Sequence, residues 1–166
     1  MVTPEPKYEE GCIESFARRN PRMTECVETI RNILKNEHHK SGKMPFTAQT
    51  ALNLDRYERV REKRSTSQST VDFVVGLRNN YLLPVEAKLE VENVENIVKD
   101  IATKRRHSLD ILRSSEGFIH HTKQMVILLN DKNFFQKERK LRNLLRNNPT
   151  YSIHNVERFH KAYFLE

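Results

Sequence analysis

Asp72, Glu86 and Lys88 are the residues of this 166-residue chain whose types and spacing suit chemistry best. Two carboxylates offer hard oxygen ligands of the kind that hold Mg2+ or Mn2+, and such ions keep several waters for further exchange. A lysine beside them adds a fixed positive charge. Its ordinary pKa near ~10.4 makes Lys88 a poor general base, so its expected role is electrostatic: to orient a water and neutralise developing negative charge. Each residue also has a plain structural reading. Asp72 can cap a strand end, and Glu86 with Lys88 can be a solvated strand face.

The elements that must position these groups are legible around them. The period changes to two in VDFVVGL and YLLPVEAKL, which reads as paired strands across a Gly76 to Asn80 turn. In the second strand Leu83, Val85, Ala87 and Leu89 share one face, and Glu86 with Lys88 the other. Hairpin pairing then brings Asp72 towards Glu86 across thirteen intervening residues. Pro84 is an objection, since it removes one ladder donor. Val91 to Leu112 reads as one long helix with an apolar stripe at Val94, Ile97, Val98, Ile101, Leu109 and Leu112, and a polar side bearing Lys99, Lys104, Arg105 and Arg106. QMVILLN has the continuous apolar character of a strand covered on both faces.

Elsewhere the pattern predicts a helix from about Tyr8 to Arg18 and a second from about Thr24 as N-cap, with Val27, Ile30 and Leu34 on one face. Residues 46–64 fit neither period well, and an exposed strand from about Arg56 to Glu62 is the expectation there. A helix from about Asn133 to Arg146 and a short strand within the tail from Tyr151 to Leu165 complete the order. The fold class is α/β, or mixed α+β, with a central mixed β-sheet flanked by helices in one domain spanning 1–166.

Composition narrows the partners. With 29 lysines and arginines against 22 acidic residues, the net charge of +7 favours a polyanion, because phosphate contacts release condensed counterions. Cys12 and Cys26 are too few for a disulfide framework and lack zinc-site spacing, so they are expected as buried thiols in a reducing compartment. No stretch has the length and apolarity of a membrane span or a secretory signal, which predicts an intracellular protein, cytoplasmic or nuclear.

Val71-Asp72 followed by Glu86-Ala87-Lys88 resembles the PD-(D/E)xK, or restriction-endonuclease-like, nuclease superfamily, with Val71 where the family's proline stands. The specific motif occupies only residues 71–88, while the order of elements is similar over most of the chain. The resemblance implies a restriction-endonuclease-like core and Mg2+- or Mn2+-dependent hydrolysis of phosphodiester bonds in nucleic acid, DNA ahead of RNA. It further implies Asp72 and Glu86 as metal ligands with the Ala87 carbonyl beside them, and pairing of active sites in a homodimer where both strands are cut. The family often adds a carboxylate from the first helix; Glu9 is the preferred residue here, with Glu14 and Glu37 as rivals.

Competing readings stay open. Lys104 and Arg105 either bind phosphates or belong to a solvated helix surface. His38 and His39 at a helix end suit the helix dipole better than a metal, and His120 and His121 have no matching ligand pair nearby. A non-catalytic nucleic-acid-binding domain on the same fold is the alternative function, and a helical interaction module with an accidental strand motif is a third.

Overall fold

The computed structural model describes residues 6–39, 43–62, 69–115 and 120–165, without the side chains of 61 and 62. The chain opens with α1 (Cys12–Ala17) and α2 (Pro21–Thr24), then β1 (Val27–Thr29) and α3 (Ile30–Asn36). Local polar groups set these boundaries. The Asn20 side chain accepts from the N–H groups of Arg22 and Met23 and starts α2, and the Thr29 hydroxyl accepts from Asn32 N–H and starts α3. The expected cap at Thr24 is therefore corrected. Thr24 ends α2, and its hydroxyl donates to the Ala17 carbonyl at 2.7 Å, leaving Thr29 to cap the following helix.

A second correction follows in the stretch expected as an exposed strand. After β2 (Thr50–Asn53), residues Leu54–Glu62 form a helix, α4. Asn53 Oδ1 accepts from Arg56 N–H at 3.0 Å, and Leu54, Tyr57 and Glu58 are buried at i, i+3 and i+4. A capped first turn with one buried stripe outweighs the ambiguous period of the charged run.

The expected hairpin comprises β3 (Phe73–Leu77) and β4 (Tyr81–Lys88), joined by a 3-10 turn over Arg78–Asn80. Asn79 and Asn80 take φ of 64° and 60°, the left-handed region that asparagine tolerates. Gly76, expected in the turn, lies within β3 instead. A Cβ there would stand 2.7 Å from the Ile13 backbone nitrogen and 2.8 Å from Cys12 Sγ, so glycine is what lets α1 lie against the strand. Pro84 sits opposite Val74 and, on its other side, between the β5 and β6 pairings described next.

Beyond β4 come α5 (Glu95–Val98), α6 (Ile101–Arg113), β5 (His120–His121), β6 (Met125–Leu129), α7 (Phe134–Leu144), β7 (Tyr151–His154) and α8 (Val156–Phe164). The long helix expected from Val91 is thus two shorter ones. Asp100, with φ −128° and ψ 1°, leaves helical geometry and separates them.

The described residues form a seven-stranded mixed sheet, β1-β2-β3-β4-β6-β7 with β5 also on β4. The β1–β2, β2–β3 and β3–β4 pairs are antiparallel; β4 pairs parallel with β5 and β6, and β6 with β7. Each face carries a core. Leu83, Val85, Ala87 and Leu89 pack with Ile30, Ile33 and Phe159 from α3 and α8, while Val74, Leu82 and Ile127 pack with Ile13, Leu109, Leu112 and Phe134 from α1, α6 and α7. Every residue of β6 is buried, in accord with its unbroken apolar run. No described helix is long and apolar enough to cross a membrane. Cys12 and Cys26 are free thiols in the core.

Candidate functional site

The hairpin register brings Asp72 and Glu86 together. Phe73 pairs with Val85, so one step further Asp72 stands opposite Glu86. Ala87 N–H donates to Asp72 Oδ2 at 2.7 Å. Two more elements hold Asp72 in place. Its carbonyl accepts from the first amides of α4, Leu54 N at 3.1 Å and Asp55 N at 3.4 Å. The neighbouring Val71 N–H donates to Ser108 Oγ of α6 at 2.9 Å, and Ser108 in turn donates to the Lys104 carbonyl at 2.6 Å.

Glu86 is 0% exposed, so the solvated-face reading does not describe it. Its Oε2 lies 2.5 Å from Lys104 Nζ and 3.7 Å from Lys88 Nζ, whose side chains are 14% and 28% exposed. Its Oε1 is buried with no hydrogen-bond partner. Burial pushes the Asp72 carboxyl up to about 9; the charge of Glu86 and a hydrogen bond with it push the same way, as does Glu37, while the Ala87 N–H opposes them. Burial pulls the Lys104 ammonium down, but the charge and hydrogen bond of Glu86, with Asp100 and Asp72, outweigh it and leave its pKa raised.

Lys104 is the residue whose expected place changes most. It turns inward to Glu86 rather than outward as a nucleic-acid contact, while its neighbour Arg105 is half-buried. A signal for this was present in the sequence. Ile101, Lys104, Ser108 and Leu112 fall at i, i+3, i+7 and i+11, so Lys104 lies on the apolar stripe and not opposite it.

Among the helix carboxylates, the structure separates Glu9 from the cluster. Glu9 precedes α1, donates its N–H to the Gly76 carbonyl and lies 3.8 Å from Arg78, at the opposite end of β3 from Asp72. The reason is that helix α1 begins only at Cys12, after the left-handed Gly11, so Glu9 has no helical position from which to reach the sheet's other end. Glu14 also lies at that far end, accepting a hydrogen bond from the hydroxyl of Thr50, the first residue of β2. Glu37, the C-cap of α3, is the rival whose charge acts on the site. Burial raises its pKa, Asp55 and Glu86 add to this, and His38 and Lys88 oppose it.

The histidines divide in the same way. His38 Nδ1 lies 3.6 Å from Glu90, while His39 Nε2 is buried without a partner. His120 stacks on Tyr81 at 4.9 Å between ring centroids and His121 Nδ1 lies 2.8 Å from the Thr122 carbonyl, both by the opposite end of β4.

Asp72 and Glu86 together lie at the carboxyl ends of β4 and β6, where open α/β sheets commonly bind ligands. Among the described residues no group of three or more histidines, cysteines and acids is placed to hold a metal ion. The pair nevertheless fits a hard divalent cation: all its donors are oxygens, one is a buried acceptor without a partner, and the Asp72 carboxyl resists ionising beside Glu86, a penalty that a cation would offset. Compared with protein-family models, curated proteins and solved structures, the chain matches none.

Proposed function

We propose that this chain is a metal-dependent nuclease that hydrolyses phosphodiester bonds within nucleic acid, DNA ahead of RNA, on a restriction-endonuclease-like core centred on Asp72, Glu86 and Lys88. The observation that carries this reading is the Asp72–Glu86 pair, Asp72 part-buried and Glu86 fully buried, with an unpartnered Glu86 oxygen and two lysines on its other oxygen. The β2-β3-β4 antiparallel run, the helix α6 after Glu86-Ala87-Lys88 and the parallel strand β6 support the family resemblance. The net charge of +7 suits a polyanionic substrate.

Asp72 and Glu86 would hold Mg2+ or Mn2+, which supplies a more acidic water and charge relief at the phosphate. The chain's own groups do the rest. Ala87 N–H and the first amides of α4 fix Asp72. Lys104, the deeper lysine, holds the Glu86 carboxylate in place through its 2.5 Å contact. Lys88 is the more exposed of the two, and it neutralises the scissile phosphate and orients the attacking water, a contribution that grows in a preorganised site. Glu37 stands close enough to act on the pair's ionisation and is the helix carboxylate of this reading.

The test is a panel of single-stranded, duplex and mixed DNA and RNA substrates with Mg2+, Mn2+ or chelator. Cleavage that needs the divalent ion and disappears in Asp72→Asn is the expected result. One observation favours a second reading, a non-catalytic nucleic-acid-binding domain: the Lys104 ammonium already lies on Glu86. Salt-sensitive binding with no cleavage under any condition would select it.

A further inference from the structure

Lys137 of α7 is 8% exposed, yet among the described residues no carboxylate lies within ion-pair distance of it. Its Nζ donates to a neutral acceptor, Asn130 Oδ1, at 2.7 Å. The neighbouring lysines differ. Lys132 lies 3.7 Å from Glu92, and Lys140 lies 2.8 Å from Glu95. The first turn of α7 holds no acidic residue, and a helix N-terminus adds positive potential of its own. Its stem is packed while the ammonium end is only partly covered, so the charge stands without a carboxylate in contact where an anion can reach it.

The position of this amino group points to which anion. Asn130 Nδ2 donates to the Leu89 carbonyl at 2.7 Å, and Leu89 follows Lys88 directly, so Lys137 is tied to the sheet end that carries Glu86. Asn130 Oδ1 also accepts from Lys132 N–H at 3.2 Å, so it keeps a donor when Lys137 is replaced. Burial lowers the pKa of Lys137, Lys132 acts in the same direction, and Glu92 opposes them.

We infer that Lys137 is a substrate-binding residue that takes a backbone phosphate of the nucleic acid next to the one that is cut, an inference that rests on the nuclease reading above. Held by Asn130 at the edge of the site, Lys137 fixes the path of the strand leaving the Asp72–Glu86 pair.

The experiment compares wild type with Lys137→Met, which keeps most of the apolar stem and removes the charge. Fluorescein-labelled single-stranded and duplex DNA 20-mers are titrated in chelator over a salt series and followed by anisotropy. The expected result is binding about tenfold weaker at low salt, with the slope of log affinity against log salt reduced by about 0.7 to 0.9, one phosphate contact's worth. The melting temperature should be unchanged or higher. Wild-type affinity and slope in the variant would overturn the inference, and so would a melting temperature several degrees lower, which would make Lys137 a structural donor. Weakened binding in the variant, with no divalent-dependent cleavage by wild type, would uphold the phosphate site and defeat the nuclease reading. Unchanged binding with normal cleavage would do the reverse. Wild-type protein that binds neither oligonucleotide would overturn both.

Discussion

Replacing Asp72 by Asn should raise the stability of the metal-free protein, because the folded state holds this carboxyl against its preference to ionise. Its pKa in the fold is about 9, whereas an unfolded chain gives ~3.9. Between those values the native state binds more protons than the unfolded state, so wild-type stability falls as pH rises from about 4 to about 9. At pH 7 three units of difference at about 1.36 kcal/mol each give on the order of 4 kcal/mol, or about 2 where solvent at the part-exposed Asp72 relieves half of it. Asparagine removes the ionisation and keeps an oxygen to accept from Ala87 N–H. For a chain of this size the metal-free variant should melt roughly 5 to 12 °C higher at pH 7, with a much flatter pH dependence. Saturating Mn2+, at about 100 times its dissociation constant, should add roughly 2.7 kcal/mol to wild type and little to the variant. The assay is calorimetry from pH 5 to 9 in chelator and in Mn2+. Asp55 would be a poor control, since its amide bonds to the Asp72 carbonyl and its charge acts on Glu37. Asp110, exposed on α6, is the better one: Asp110→Asn should leave both the pH slope and the Mn2+ shift intact. If Asp72→Asn melts no higher than wild type in chelator at pH 8 and responds equally to Mn2+, the buried-pair argument and Asp72 as a ligand both fail.

Lys88→Ala should lower single-turnover cleavage by at least about two orders of magnitude while oligonucleotide binding survives, since one transition-state cation is lost among 29 basic residues; unchanged turnover would remove Lys88 from the site. Lys104→Ala leaves the buried Glu86 carboxylate without its 2.5 Å partner, which should cost about 3 to 5 kcal/mol of stability in chelator by urea denaturation. A loss under ~0.5 kcal/mol would return Lys104 to the helix surface. Gly76→Ala forces a methyl against Cys12 and Ile13 and should cost about 1 to 3 kcal/mol, read from the same denaturation midpoint; a neutral result would show that α1 does not press on β3.

Legibility in the sequence followed the range of the interactions. Period-two alternation assigned Leu83, Val85, Ala87 and Leu89 to one face and put Glu86 on the other, because in an extended chain successive side chains must alternate whatever packs on them. The unbroken run in β6 was equally plain. Capping was harder to read. Thr24, Thr29, Asn20 and Asn53 are all competent caps, and the choice among them depends on which following turn finds a buried face. That is why α3 began later than expected and why a helix replaced the strand expected from Arg56.

The sequence alone therefore determined the hairpin, its apolar face and the approach of Asp72 to Glu86, since these depend on alternation and pairing within about twenty residues of chain. Only the tertiary structure decided what surrounds that pair. The packing of α6 across the sheet turned Lys104 onto Glu86, and the late start of α1 left Glu9 at the far end while the end of α3 brought Glu37 near. Spacing along a helix fixes which side chains share a face, but the direction that face takes is set by docking against a sheet whose strands come from distant parts of the chain.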